Sequence, residues 1–290
     1  MQELRSKNIL VKINEKGAEL SSFLDLETGI EHIWNADPSF WNRHAPVLFP
    51  IVGQVEDGEY TVEKIKYNLP QHGFARDSNF TLVENQNNTL VFSLHHSPET
   101  LNVYPFKFKF SISYTLLGKK LYVGYKIENI DDKEIAFQLG AHPGFSCPFY
   151  PSESISEYFL QFDKPLTEDR LLFEDGLLNG KIQKEFLKNE SKIQLSASTF
   201  DDDAIIFETN KIDSVLITKN GINGLKVNLS GFPLLGIWSK PKANAPFVCI
   251  EPWYGVASVR GNSKELKDKK AIQILDVAQT FECGFSIEIV

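Results

Sequence analysis

The feature that most constrains this chain is a two-residue alternation of apolar and polar side chains, sustained over long stretches. Residues 8–13, 107–116, 120–130 and 281–290 all carry it. In an extended chain successive side chains point to opposite faces, so such alternation makes a strand with one buried face. Residues 82–94 read as a hairpin with its turn at 84–88, and Gly118-Lys119 punctuates two of the long strands. Residues 134–139 and the apolar run Phe247-Val248-Cys249-Ile250 add further strands. The 22 phenylalanines and many β-branched residues suit pleated, half-buried surfaces. Helical periodicity is scarce: residues 98–103 predict a single turn, and 173–178 fit either state. Nothing alternates strand with helix as a parallel doubly wound sheet requires. With no linker, low-complexity tract or internal repeat, the reading is one all-β domain over residues 1–290, built from stacked, mostly antiparallel sheets.

Composition narrows the function classes. A hydrophobic share of 42% and a charged share of 23% describe an ordinary globular chain. The net charge is −8 and Lys and Arg form no stripe, which argues against nucleic acid as a partner. No segment approaches the run of about 20 apolar residues that spans a bilayer, so no membrane partner is expected. Residues 1–7 lack the apolar stretch of a secretory leader, and a cytoplasmic address is the expectation. Cys147, Cys249 and Cys283 are an odd set without CxxC spacing and read as buried thiols.

Three short islands carry the chemistry. They are Gln71-His72-Gly73-Phe74-Ala75-Arg76, Gly140-Ala141-His142-Pro143-Gly144-Phe145 and Ile250-Glu251-Pro252-Trp253-Tyr254-Gly255. Each sets an ionisable residue beside Gly or Pro and an aromatic ring. Two histidines and a glutamate can give one proton and take another at neutral pH, and the rings offer faces of the kind that stack on a sugar. His142 ends a strand, where Pro143 removes a backbone donor and holds the chain extended; a structural histidine beside a turn would look the same. Glu251 follows a strongly apolar strand, where a carboxylate is costly to bury without a partner or a task. Its bland alternative is a solvated carboxylate where the strand leaves the core. Arg76 offers a planar fork of donors, to a ligand or to Asp77.

Other candidates fall away. His95 and His96 are adjacent in a strand and face opposite ways, so they cannot share a metal. There is no HExxH, Cys/His cluster, Walker-type loop or GxSxG elbow, and neither a metal nor a cofactor is expected. Asp201-Asp202-Asp203 reads as a solvated turn, and Trp238 as a sugar platform or part of the core.

Taken together, the islands resemble the aldose 1-epimerase (mutarotase) family, especially its LacX-like and hexose-6-phosphate epimerase-like branches. The segments Ala45-Pro46-Val47-Leu48-Phe49-Pro50-Ile51-Val52-Gly53 and Asp203-Ala204-Ile205-Ile206-Phe207 share in the likeness, which runs from about Gly17 to Ile289. The resemblance implies a galactose mutarotase-like β supersandwich with an open sugar cleft. It implies His142 as general acid and Glu251 as general base. Gln71, His72, Arg76 and Asp203 would hold sugar hydroxyls, with His72 assisting at the ring oxygen. Trp238 joins them as a candidate, and Arg43 stands one residue out of register with a family arginine. Whether Asp202 or Asp203 faces the cleft depends on aligning a short loop. Gln54 stands where related sequences often carry arginine, and the island around His142 differs from that of the galactose-specific branch, so neither galactose nor a phosphate carries over.

The implied reaction exchanges anomers of an aldohexose or hexose phosphate. Ionised Glu251 takes the C1 hydroxyl proton while protonated His142 supplies the ring oxygen, from opposite sides of one pyranose. The partner is a small-molecule sugar, and the chain is a monomer or homodimer. Two other classes stay in view: a non-catalytic carbohydrate-binding protein on the same scaffold, and a polysaccharide hydrolase or lyase with a similar sandwich. Retention of both His142 and Glu251 favours the epimerase, because a pure binder needs neither.

Overall fold

The alternating segments become neighbours in one antiparallel sheet in the computed structural model, which describes residues 1–208 and 211–290. Lys120–Asn129 lies between Phe108–Leu117 and Thr280–Ile289, with Leu121 opposite both Leu116 and Ile287, and Val123 opposite both Tyr114 and Phe285. Each row sets apolar side chains side by side on one face, which is the unit of sheet stability. In one direction the sheet ends at Thr89–His95 and the edge strand Thr81–Gln86. In the other it passes through Gly224–Asn228, Ser214–Thr218, Phe159–Glu174, Ile205–Glu208, Leu234–Trp238, Phe247–Tyr254 and Leu139–Ala141 to Val47–Leu48. A separate three-stranded sheet of Gln2–Arg5, Ile9–Asn14 and Glu19–Asp25 shares the same core. This is the all-β architecture of mostly antiparallel sheets that the sequence predicts.

Phe49 is a hub of that core. Its ring centroid lies 4.9–6.1 Å from those of Phe74, Tyr104, Phe108, Phe110 and Phe137. The segment that follows Phe49 is thereby fixed against the main sheet. One short α-helix, Pro98–Leu101, is capped by Ser97, whose side chain accepts from Thr100 N–H, with Pro98 in the first turn. Among the described residues no helix is long and apolar enough to cross a membrane.

Two local readings need correction, and one left open is decided. The hairpin over 82–94 turns at Asn87-Asn88, both with positive φ, rather than across 84–88. A one-residue slip between Leu82 and Glu84 keeps Glu84 to Gln86 in the ladder. Residues 134–139 are not one strand: Ile135–Phe137 pairs with Gln273–Leu275, whereas Leu139–Ala141 joins the main sheet. Gln138 makes the crossing. Its buried amide accepts from Val52 N–H and donates to the carbonyls of Val256 and Lys270, replacing ladder bonds with side-chain ones. Finally, residues 173–178 form the tip of a long hairpin made by Phe159–Glu174 and Leu177–Gln194, turning at Asp175 (φ 53) and Gly176 (φ 78).

Candidate active site

Register brings the second and third islands together. Phe247–Tyr254 pairs with Leu139–Ala141 through Gly140↔Trp253 and with Gly144–Ser146 through Gly144↔Cys249. Both pairings belong to a single register, and counting inward from either end sets His142 opposite Glu251. Between them the ladder is interrupted, because Pro143 and Pro252 each lack an N–H to contribute. Cross-strand neighbours stand close enough to touch, and here His142 Nε2 lies 3.1 Å from Glu251 Oε2. Glu251 Oε2 nonetheless receives no hydrogen bond of good geometry, so it is free to accept one.

Alternation along Phe247–Tyr254 turns Phe247, Cys249, Glu251 and Trp253 to one side. On that side lies a cavity of about 360 Å³ whose wall includes Gln71, His72, Arg76, His142, Asp203, Trp238 and Glu251. Trp253 fits there only because two neighbours are glycine. A Cβ on Gly140 or Gly236 would sit 2.6 Å from its ring. A larger recess, about 780 Å³, is lined by Trp34, Asn35, Phe149 and Tyr150 and holds none of the candidate residues. Its two carboxylates are already committed, Glu31 to Ser22 and two backbone amides and Glu153 to Lys219 and Tyr158.

The first island continues the wall, with the His72 ring edge-on to that of His142 at 5.6 Å between centroids. His72 (φ 67) and Gly53 exchange hydrogen bonds: His72 N–H donates to the Gly53 carbonyl at 2.8 Å, and Gly53 N–H donates to His72 Nδ1 at 3.1 Å. Because Nδ1 accepts, the ring proton sits on Nε2, which makes His72 a fixed donor. Burial holds its imidazole well below the ordinary range, and the His142, Arg76 and Arg43 charges act in the same direction. Gly73 (φ 72) is obligatory, since a Cβ there would lie 2.3 Å from the Phe49 carbonyl oxygen. Arg76 is anchored by donating to the Gln71 carbonyl at 2.6 Å. Burial lowers its pKa to about 10, which leaves it a cation at neutral pH.

Of the two aspartates in question, Asp203 is the one that lines the cavity, while Asp202 is exposed. Asp203 has φ 66, and its carboxylate accepts from Ala204 N–H. The loop is held from beneath by Arg170, which is buried and donates to the carbonyls of Asp202, Asp203 and Ala204 at 2.8, 3.1 and 3.1 Å. Arg43 is elsewhere: it forks onto Asp77 at 3.1 and 3.2 Å and is not among the residues lining the cavity.

Burial dominates the electrostatics of the central pair. It pushes the Glu251 carboxyl well above the usual carboxylate range, and the charge of Asp203 adds to the effect. It pulls the His142 imidazole down to about 3, with Arg76 and Arg43 pushing the same way. The sequence reading has a carboxylate facing an imidazolium, reached from opposite sides of a sugar ring. In the structure the two groups are side by side, and the wall disfavours each charge separately. A pair this close titrates as a unit. The state in which the pair shares one proton is net neutral whichever partner carries it, so burial favours that state over those with two protons or none.

Sequence reasoning missed Trp41 and Arg170. Trp41 stacks on His142 (4.8 Å between centroids, 29° between planes) and meets Trp238 edge-on at 5.6 Å. The signal available was its place four residues before the Ala45-to-Gly53 segment. Arg170 offered none, because its partners are backbone carbonyls more than thirty residues away.

The model of the aldose 1-epimerase family matches residues 1–258. The plasmid-encoded protein LacX of Lactococcus lactis is 31% identical over 297 residues, covering 99% of this chain and 98% of that protein. Among solved structures, a galactose mutarotase related enzyme from Lactobacillus acidophilus superposes with TM-score 0.93 at 33% identity, covering 100% of this chain and 97% of that one. A galactose mutarotase-like protein from Lactobacillus casei gives 0.93 at 27% identity and covers 100% of both chains.

Proposed function

The chain belongs to the aldose 1-epimerase family of isomerases, and from that premise we propose that it interconverts the α and β anomers of an aldohexose, free or phosphorylated, with Glu251 and His142 as its base and acid. The observation that carries this reading is the 3.1 Å contact between His142 Nε2 and Glu251 Oε2 in the wall of a sugar-sized cavity. Anomer exchange removes a proton from the C1 hydroxyl and adds one to the ring oxygen. Both oxygens are bonded to C1, so two neighbouring groups can serve them together. Side-by-side placement allows this.

The proton inventory also fits. Neutral imidazole with carboxylic acid, and imidazolium with carboxylate, contain the same protons. Passing between them needs one transfer across the contact and no exchange with solvent. In the imidazolium–carboxylate form Glu251 accepts the C1 hydroxyl proton as His142 protonates the ring oxygen. The ring opens to the aldehyde, the C1–C2 bond rotates, and closure on the other face returns both protons. His72 Nε2–H donates to the ring oxygen region, Arg76 donates to hydroxyls, and Asp203 and the Gln71 side chain accept from them. The rings of Trp41 and Trp238 supply an apolar face for the sugar.

The test is NMR exchange spectroscopy of anomer interconversion at neutral pH over a panel of free hexoses and hexose 6-phosphates. Wild type should accelerate exchange for at least one member, and His142→Ala should lose about 10²–10⁴ of that acceleration. Sugar binding without accelerated exchange would leave the non-catalytic carbohydrate-binding reading instead.

A further inference from the structure

Behind the acid–base pair sits a third donor that the proposed reaction does not use. Cys249 precedes Glu251 by two residues on Phe247–Tyr254, so their side chains share a face. It is a free thiol with no solvent exposure, packed in one cluster with Trp41 and Trp238. Its Sγ, a ring nitrogen of His142 and a carboxylate oxygen of Glu251 all lie within 4.8 Å of one another. Independently of the cysteine, two buried atoms here lack any hydrogen-bond partner: Glu251 Oε2 and His142 Nδ1. Unsatisfied polar atoms on buried side chains are rare and ask for an occupant.

We propose that His142, Cys249 and Glu251 form a three-ligand site for a thiophilic divalent cation, zinc or cadmium, whose binding switches the enzyme off. Imidazole nitrogen, thiolate and carboxylate are the donor set that zinc selects. Bonds of about 2.0–2.3 Å place tetrahedral ligands roughly 3.3–3.8 Å apart, so side-chain shifts of about 1 Å suffice to close the site. Binding is ligand exchange without redox. The aquated cation sheds three waters, the thiol releases its proton to solvent, and any proton on the carboxyl leaves with it. A water keeps the fourth position. The bound metal occupies the lone pairs that must carry the proton, so transfer stops. That consequence rests on the proposed epimerase reading, whereas the site itself does not.

Cobalt(II) separates the two. Titrating the purified protein with Co²⁺ should raise a near-ultraviolet thiolate-to-cobalt charge-transfer band, with one equivalent bound and displaced by Zn²⁺. The band should be lost in Cys249→Ala, with Cys249→Ser as a second variant should the first fail to fold. In the NMR exchange assay Zn²⁺ should inhibit wild type, EDTA should restore it, and Cys249→Ala should keep its basal rate and lose the inhibition. No band in wild type, or a band or inhibition that survives loss of Cys249, overturns the site. A Cys249-dependent band in a protein with no anomer exchange upholds the site and refutes the proposed function.

Discussion

Replacing Glu251 by glutamine tests the acid–base reading with two readouts that must move in opposite directions. The amide keeps the side chain's shape beside His142 but accepts no proton. One positioned base is worth about 10²–10⁴ in rate, so the barrier should rise by about 3–5 kcal/mol. KM should change little, because glutamine keeps the size of the side chain and leaves the proposed hydroxyl contacts of Gln71, Arg76 and Asp203 in place. Stability should rise. Burial holds the folded carboxyl well above the ordinary 4.5, so the folded state retains a proton that the unfolded chain loses. From about pH 4.5 upward this erodes wild-type stability until the folded group also ionises. Glu251→Gln removes that erosion, and its advantage in urea denaturation should be larger at pH 8 than at pH 5. Because the pair acts as a unit, Glu251→Gln combined with His142→Ala should cost little more rate than the worse single change. A single variant within about tenfold of wild-type turnover, or a double variant whose losses multiply, refutes the pair as the source of catalysis.

Other consequences are separately testable. The pH–rate profile should show a broad plateau through neutrality, since burial moves the acid limb down through His142 and the alkaline limb up through Glu251; a narrow bell would contradict the net-neutral pair. Gly236→Ala drives a Cβ to 2.6 Å from the Trp253 ring and should cost about 1–3 kcal/mol by urea denaturation. Arg170→Lys keeps the charge but shortens the side chain whose Nη2 holds the carbonyls of Asp202, Asp203 and Ala204, so KM should rise more than kcat falls. Lys269 is 7% exposed and donates to the Val256 carbonyl and Ser258 Oγ, and burial lowers its pKa from 10.5 to about 7. A shift of that size corresponds to about 5 kcal/mol of cost below pH 7, relieved as pH rises toward 10.5. Lys269→Met should therefore stabilise at pH 6 and cease to do so near pH 10.

What could be read in advance follows from how burial is distributed. Phe108–Leu117 alternates buried and half-buried positions along nearly its whole length, so its pattern reveals both strand and face. Leu177–Gln194 is exposed at most positions on both sides, which erases the alternation and hid the long hairpin. Residues 134–139 misled because all of Ile135, Ala136, Phe137, Gln138 and Leu139 are buried. Continuous burial carries no sign of where one sheet hands over to another. His142 and Glu251 stood out because a charge-bearing residue beside proline in an apolar run has few structural uses. Their adjacency did not, because it depends on strand register, which no local pattern records.

That dependence explains why the site lies at an interruption of the sheet rather than in a loop. Pro143 and Pro252 remove donors on either side of the His142–Glu251 level, while Gly140↔Trp253 and Gly144↔Cys249 keep the register beyond them. The side chains are thus placed by rigid backbone: Ile250, Glu251 and Pro252 stay paired with Ile237, Gly236 and Leu235 on their other side, and His142 N–H donates to the Pro46 carbonyl. Burial then does double service. It makes separate charges costly, which keeps one shared proton on the pair, and it leaves Glu251 Oε2 without a partner until a hydroxyl arrives. The same unfilled valence beside Cys249 is what exposes the pair to capture by a soft metal, so loss of Glu251 or His142 should remove both zinc binding and proton transfer, whereas loss of Cys249 should remove the first alone.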